Sequence, residues 1–405
     1  KKEVKMKLKN SRLNNGPQNR LSQEIDKQKY QQTGEDFYSK CVRIADALKD
    51  NVGHFEDFKD ILCHMRFIPA GRVQNAMGAA RKTTAFNCFV SGVIEDSMDS
   101  IMSRATEAAE TMRRGGGIGY DFSKIRPRGD LIRSLESRSS GPVSFMGIFD
   151  AICQTIASSG HRRGAQMGVL RIDHPDVEEF IVAKHNSHKL TGFNVSIGVT
   201  DEFMMCLEDN RSFALTYNGK TYKEVDPVNL WDMIMRSTWD YAEPGILFID
   251  RMNEMNNLWY VENLEATNPC AEQPLPPFGA CLLGSFNLVQ YVDIAKKKFE
   301  FEQFDSDIRC VVRAMDNIVD RTTYPLKEQK LEALSKRRMG LGLTGLANAG
   351  EMLGHSYASD KFMNFMEDVL CELRNVAYDA SAELAKEKDI PENSELFRDV
   401  YKDLL

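Results

Sequence analysis

The run Thr267–Leu288, TNPCAEQPLPPFGACLLGSFNL, constrains this chain more than any other. Its four prolines, Pro269, Pro274, Pro276 and Pro277, each fix φ and remove a backbone donor. Such a run cannot continue a helix or lie inside a sheet. It reads as a stiff extended loop leading into an apolar, strand-like stretch, Cys281–Leu288. A stiff loop holds Cys270 at a fixed point, with Asn268 and Glu272 two residues to either side. The alternative is a plain turn.

The chain has 405 residues, 42% of them hydrophobic and 27% charged, as in a globular protein with a sizeable core. A net charge of −7 argues against a general nucleic-acid binder. The first ten residues carry five lysines with no apolar stretch after them, so no signal peptide is expected. No run of eighteen apolar residues suggests a membrane span. The nine cysteines form no CxxC pair, and the seven histidines are not spaced with them for zinc. Scattered thiols of this kind fit a reducing cytoplasm, most of them as small buried hydrophobes. Only Cys88, Cys270 and Cys281 have unusual surroundings in the sequence.

Read in order, residues 1–30 form a polar, irregular arm and 31–80 a small helical cap. Thr84–Ile94 is a short β-rich stretch centred on Asn87-Cys88, and Asp96-Ser97 can N-cap a helix over Met98–Arg114. The glycines 115–117 that follow imply close backbone approach, and tight helix–strand packing is the expected use. Gly129–Gly141 reads as a flexible loop, and Ser159–Ala165 as a second basic glycine loop. Strands are expected over Met167–Ile172, Phe193–Val199 and Gly245–Asp250. Asp201 is expected to cap the helix after the second of these, and Asn218-Gly219 to turn a hairpin over Ser212–Val225. The alternation is that of an α/β protein with a largely parallel sheet.

Several separated motifs in one order then point further: RRGGGIGYDFSKIRPRG, SGPVSFMGIFD, HPDVEEFI, NPCAEQPLPPFGAC and RRMGLGLTGLA. Together, from about Cys88 to Gly350, they resemble the large catalytic subunit of ribonucleotide reductases. The resemblance implies a ten-stranded α/β barrel of two five-stranded parallel halves with a central finger loop. It places residues 81–405 in that barrel.

The resemblance also implies roles. Cys270 becomes the thiyl radical at a water-shielded loop tip, since no acid–base group abstracts hydrogen from an unactivated ribose carbon. Glu272 acts as general base on the ribose 3′-hydroxyl, and Asn268 positions substrate hydroxyls. Cys88 and Cys281 supply two electrons and end as a disulfide; as isolated strand cysteines they would read as core. Asn87 and Arg162 lie on the substrate side. Asp96, Ser97, Arg126 and Arg133 match the contacts of an allosteric nucleotide, dNTP or ATP, a solvated face being the alternative for the arginines. No metal ligand set is implied, and a thioredoxin- or glutaredoxin-like reductant is.

The family's PTGT-like phosphate loop, later strands and C-terminal redox cysteines do not occur before Leu405, and the start lacks the VxKRDG-like opening of the ATP-sensing module. The barrel is therefore expected to lack strands, and regulation at such a module is not expected. The finger-loop wording resembles both adenosylcobalamin-dependent enzymes and small viral members. With a short chain and small cap, a separate ferritin-like metal subunit is expected as radical source in preference to adenosylcobalamin, with no cofactor held permanently. The cytoplasm is the expected location, the host's if the chain is viral. Two other readings stay open: a glycyl-radical-type enzyme on the same barrel, and an inactive nucleotide-binding remnant.

Overall fold

Five short segments, most of their residues buried, become five parallel strands, as expected where both faces of a sheet are covered. They are β1 (Cys88–Val90), β2 (Gly117–Asp121), β3 (Gln166–Arg171), β4 (Phe193–Val199) and β5 (Gly245–Phe248). Helices join them: α1 (Met98–Arg113), α2 (Pro142–Thr155), α3 (Val177–Ile181), α4 (Asp201–Glu208) and α5 (Pro227–Tyr241). Three two-residue strands follow: β6 (Ala266–Thr267), β7 (Pro274–Leu275) and β8 (Ala280–Cys281). The sheet order is β5-β4-β3-β2-β1-β8, so neighbours in space are neighbours in sequence until β8 adds antiparallel to β1. The hairpin expected at Asn218-Gly219 joins strands Phe213–Tyr217 and Lys220–Val225.

The computed structural model describes residues 16–132, 136–156, 164–185 and 189–388. It divides into one unit of Cys88–Cys281 with Tyr324–Glu332, and a second of Lys1–Asn87, Leu282–Thr323 and Ala333–Leu405. In the first unit, the apolar face of α1 repeats Ile101, Ala105, Ala108 and Met112 at helical spacing, all buried. The rings of Tyr120, Phe122, Phe149 and Phe193 meet at centroid distances of 4.9 to 6.1 Å. Each such side chain, fully buried, contributes about 1.5–3 kcal/mol. The Tyr120 hydroxyl donates to Gln166 Oε1 at 2.8 Å, so the core holds no stranded phenol.

In the second unit, strands Phe67–Pro69, Leu283–Asn287 and Gly340–Thr344 form a three-stranded sheet. Helices Phe301–Arg321 and Asp360–Glu387 pack on each other in that unit. Their ion pairs Arg309–Glu383 and Arg313–Glu387 advance together by one turn, so the two helices run parallel.

Several expectations change. The arm expected to be irregular to residue 30 contains a helix, Arg20–Lys29, capped by Asn19, whose side chain accepts from Ser22 N at 2.8 Å. Its one buried residue, Asp26, pairs with the buried Lys40 ammonium, which anchors a helix whose apolar residues, Leu21 and Ile25, are exposed. Residues 1–15 of that arm lie outside the described residues. Thr200 rather than Asp201 caps α4, accepting from Phe203 N at 3.2 Å. The loop 129–141 carries a small strand pair, Leu131–Ile132 with Ser137–Arg138. The stretch Cys281–Leu288 is not one strand: β8 pairs with β1, whereas Leu283–Asn287 pairs with Phe67–Pro69 and Gly340–Thr344. The described strands do not close into one barrel; the larger sheet has six members and two free edges.

The proline-rich run folds as a finger hairpin: β6 pairs antiparallel with β7, Ala266 opposite Leu275 and Thr267 opposite Pro274, leaving residues 268–273 as its tip. It lies on β2 because β2 offers glycines there. A Cβ on Gly119 would meet the Thr267 carbonyl oxygen at 1.8 Å, and one on Gly117 would meet Pro269 Cγ at 2.8 Å. Gly119→Ala should therefore lift the hairpin or distort β2, lowering stability by about 1–3 kcal/mol in urea titration. An unchanged midpoint would show that the hairpin is not seated there.

Candidate active site

The tip is held by its own backbone. Asn268 is fully buried; its Oδ1 accepts from Gln273 N at 3.0 Å, and Ala271 N donates to Asn268 O at 3.0 Å. Ala271 turns the chain with φ of +62°, a left-handed conformation that its Cβ disfavours. Asn194 Nδ2, from β4, donates to Pro269 O at 2.7 Å and ties the tip to the sheet. Cys270 and Glu272, on either side of Ala271, are exposed. Among the described residues, nothing covers these two side chains of the tip.

Cys88 opens β1 and Cys281 closes β8, and the two are direct partners across the strand pair. Directly opposite residues of an antiparallel pair have Cα atoms about 4.5–5.5 Å apart, inside the range a disulfide spans. Both are reduced here; Cys281 is fully buried and Cys88 half-buried. Burial pushes the Cys88 thiol up to about 12, and the nearby Cys270 and Glu272 push the same way. Burial likewise raises Cys281, helped by Cys88, Glu272 and Cys270. Those mutual influences place all four groups in one neighbourhood. The Asn268 amide opposes the trend by favouring the Cys88 thiolate; its Nδ2 has no partner of ordinary hydrogen-bond geometry. We read that contact as a weak one, nitrogen to sulfur. A Cβ on Gly117 would lie 3.3 Å from Cys88 Sγ, so the same glycine makes room for the thiol and for the finger.

Asn87 immediately precedes Cys88, and its buried Oδ1 has no hydrogen-bond partner. Arg162 and Arg133 lie outside the described residues.

A second group of candidates gathers at the start of α1. Ser97 is its N-cap, accepting from Ser100 N at 3.2 Å. Asp96 Oδ2 accepts from Arg126 Nε at 2.6 Å, and its Oδ1 from Arg126 N at 3.2 Å. The hairpin adds Tyr217, which donates to Lys124 O at 2.7 Å, and Tyr222, which donates to Asp130. Burial first, then Asp96, pushes Tyr217 up to about 12. Sequence reasoning found the hairpin through Asn218-Gly219 but not these tyrosines; alternating Tyr217 and Tyr222 beside the turn were the available signal. It also gave the glycine run to helix packing. Gly116 does face Thr111 and Phe89, whereas Gly117 and Gly119 floor the finger.

Residues 86–399 match the family model described as the ribonucleotide reductase barrel domain. Among characterised relatives, the vitamin B12-dependent ribonucleoside-diphosphate reductase of Thermoplasma acidophilum is 35% identical, over 84% of this chain and 44% of its own length. The enzyme of the same name from Mycobacterium tuberculosis is 35% identical, over 82% of this chain and 48% of its own. The vitamin B12-dependent ribonucleotide reductase of Streptomyces avermitilis is 29% identical, over 90% and 40% respectively. The chain thus spans less than half the length of these relatives. Their names correct one expectation: a separate metal subunit was preferred as radical source, and these relatives are B12-dependent. The finger-loop wording already carried that signal, and chain length was a poor reason to set it aside. By its matched domain and these relatives, the chain belongs to the ribonucleotide reductase family.

Proposed function

We propose that this chain carries the finger loop and redox dithiol of an adenosylcobalamin-dependent reductase that converts ribonucleoside diphosphates to deoxyribonucleotides. The observation that carries the reading is the pairing of Cys88 with Cys281 beneath a finger tip bearing Asn268, Cys270 and Glu272. Adenosylcobalamin, when bound, supplies the radical chemistry. Cys270 suits it: the thiol stands at an exposed tip, while Cys281 is fully buried. In this reading the five parallel strands are one half of a ten-stranded barrel.

Cys270 abstracts a ribose hydrogen as a thiyl radical and returns it at the end. Glu272 takes the 3′-hydroxyl proton, and Asn268, whose Nδ2 makes only a weak contact with Cys88, holds substrate hydroxyls. Asn87 and Arg162 would join on the substrate side. The ribose 2′-hydroxyl leaves as water; Cys88 and Cys281 give two electrons and two hydrogens and become a disulfide. An external dithiol of the thioredoxin or glutaredoxin kind then restores them. Keeping both thiols protonated until turnover suits that task, because each must deliver hydrogen as well as charge. Asp96, Ser97, Arg126 and Arg133 would receive a dNTP or ATP effector. Arg126 would exchange its Asp96 partner for phosphate oxygens.

With adenosylcobalamin, a ribonucleoside diphosphate and dithiothreitol, the protein should form deoxyribonucleotide, and Cys270→Ala should abolish that product without changing the fold. Retained turnover by Cys270→Ala would overturn the reading.

Thiol acidity gives a separate expectation. A pKa of about 12 means Cys88 stays a thiol near neutrality, so its alkylation by iodoacetamide should climb about tenfold per pH unit from 7 to 10. Peptide-resolved mass spectrometry should show no plateau in that range. A plateau near pH 9 would mark an ordinary, unshifted thiol.

A further inference from the structure

β8 is two residues long, and two pairs alone specify register weakly. A slip of one residue would turn Cys281 to the other face of the sheet and away from Cys88. Something outside β8 must set its register, and the chain just before it shows what does.

Pro276, Pro277, Phe278 and Gly279 make a tight turn in which Gly279 N donates to Pro276 O at 2.9 Å. Phe278 occupies its third position with φ of +65°, where glycine or asparagine is expected and a bulky side chain is disfavoured. The ring is engaged to hold it there. The Arg104 guanidinium, on the second turn of α1, lies 5.3 Å from the ring centroid. Gly92, two residues beyond β1, leaves the space both need. A Cβ there would stand 2.0 Å from Arg104 Nη1 and 2.4 Å from Phe278 Cζ. Arg104 is oriented by Glu107 at 2.9 Å, while its buried Nε has no hydrogen-bond partner. From this clamp the chain runs directly into the sheet: Val90 N donates to Gly279 O at 2.9 Å, then Ala280 pairs with Phe89 and Cys281 with Cys88.

We infer that Arg104 and Phe278 are positioning residues: the Phe278 ring, seated on the Arg104 guanidinium over Gly92, fixes the register that holds Cys281 opposite Cys88. The inference rests on the proposed reading of those cysteines as a redox dithiol. It also gives α1 a second task. The helix that starts at the candidate effector contact Ser97 carries, seven residues on, the cation that grips the end of the finger.

The test follows closure of the pair by glutathione disulfide. Cys88 and Cys281 each lose a hydrogen and join, and the reagent leaves as two molecules of glutathione. Peptide mapping reads the disulfide across glutathione redox buffers. Phe278→Gly removes the ring while suiting the positive φ, so the turn keeps its backbone and the variant should remain folded, as its thermal melting checks. Its equilibrium constant for the Cys88–Cys281 disulfide should nevertheless fall about tenfold. Arg104→Gln should fall similarly, and Arg104→Lys, which keeps the cation, should recover most of the loss. If both Phe278→Gly and Arg104→Gln, folded, close the disulfide as readily as the unmodified protein, the clamp is overturned while the dithiol stands. If the unmodified protein forms no such disulfide, the dithiol reading falls and takes the clamp with it.

Discussion

The site depends on how closely the finger lies on the sheet, and that closeness rests on two missing side chains. Gly119 lets the Thr267 carbonyl approach to where a Cβ would stand, and Gly117 does the same for Pro269 and the Cys88 sulfur. With larger residues at either position, the hairpin and β1 would compete for one space. The prolines make the finger stiff, and the glycines give it a seat. Asn194, reaching from β4 to Pro269 O, and the Asn268 turn then fix the tip laterally.

From that seat the chemistry divides by depth. Cys281 is fully buried and Cys88 half-buried, and burial raises the pKa of both, which favours their thiol forms. Cys270 stands at the tip with solvent access. In the proposed reading, that exposed thiol exchanges with the radical source and the other two store reducing equivalents.

Much of this was legible in the sequence, for physical reasons that differ by element. The four prolines exclude helix and central strand, so the finger could be read directly from its composition. Four of the five parallel strands followed from β-rich or apolar runs between helical patterns, and β4 was read with its boundaries unchanged, Phe193–Val199. Ser97 as a cap followed from its place before the apolar repeat of α1. What escaped were features set by tertiary contact. The helix Arg20–Lys29 leaves its two apolar residues, Leu21 and Ile25, exposed, and its buried anchor, Asp26 on Lys40, spans fourteen residues and leaves no periodic trace. The break between Cys281 and Leu283 is invisible in an apolar run, because it depends on which strands lie alongside. Phe278 at positive φ defies the usual turn chemistry, and only Arg104 and Gly92 explain it. Roles that came from resemblance instead of residue physics, such as those of Glu272 and Asn268, rest on that resemblance and on proximity.

The central claim is that the electrons for reduction come from Cys88 and Cys281 and from no other pair among the nine cysteines. The most direct measurement is a single turnover without external reductant, followed by acid quench and disulfide mapping. The account predicts one Cys88–Cys281 disulfide for each deoxyribonucleotide formed, with Cys270 recovered as thiol. Product formed while Cys88 and Cys281 remain reduced would contradict it.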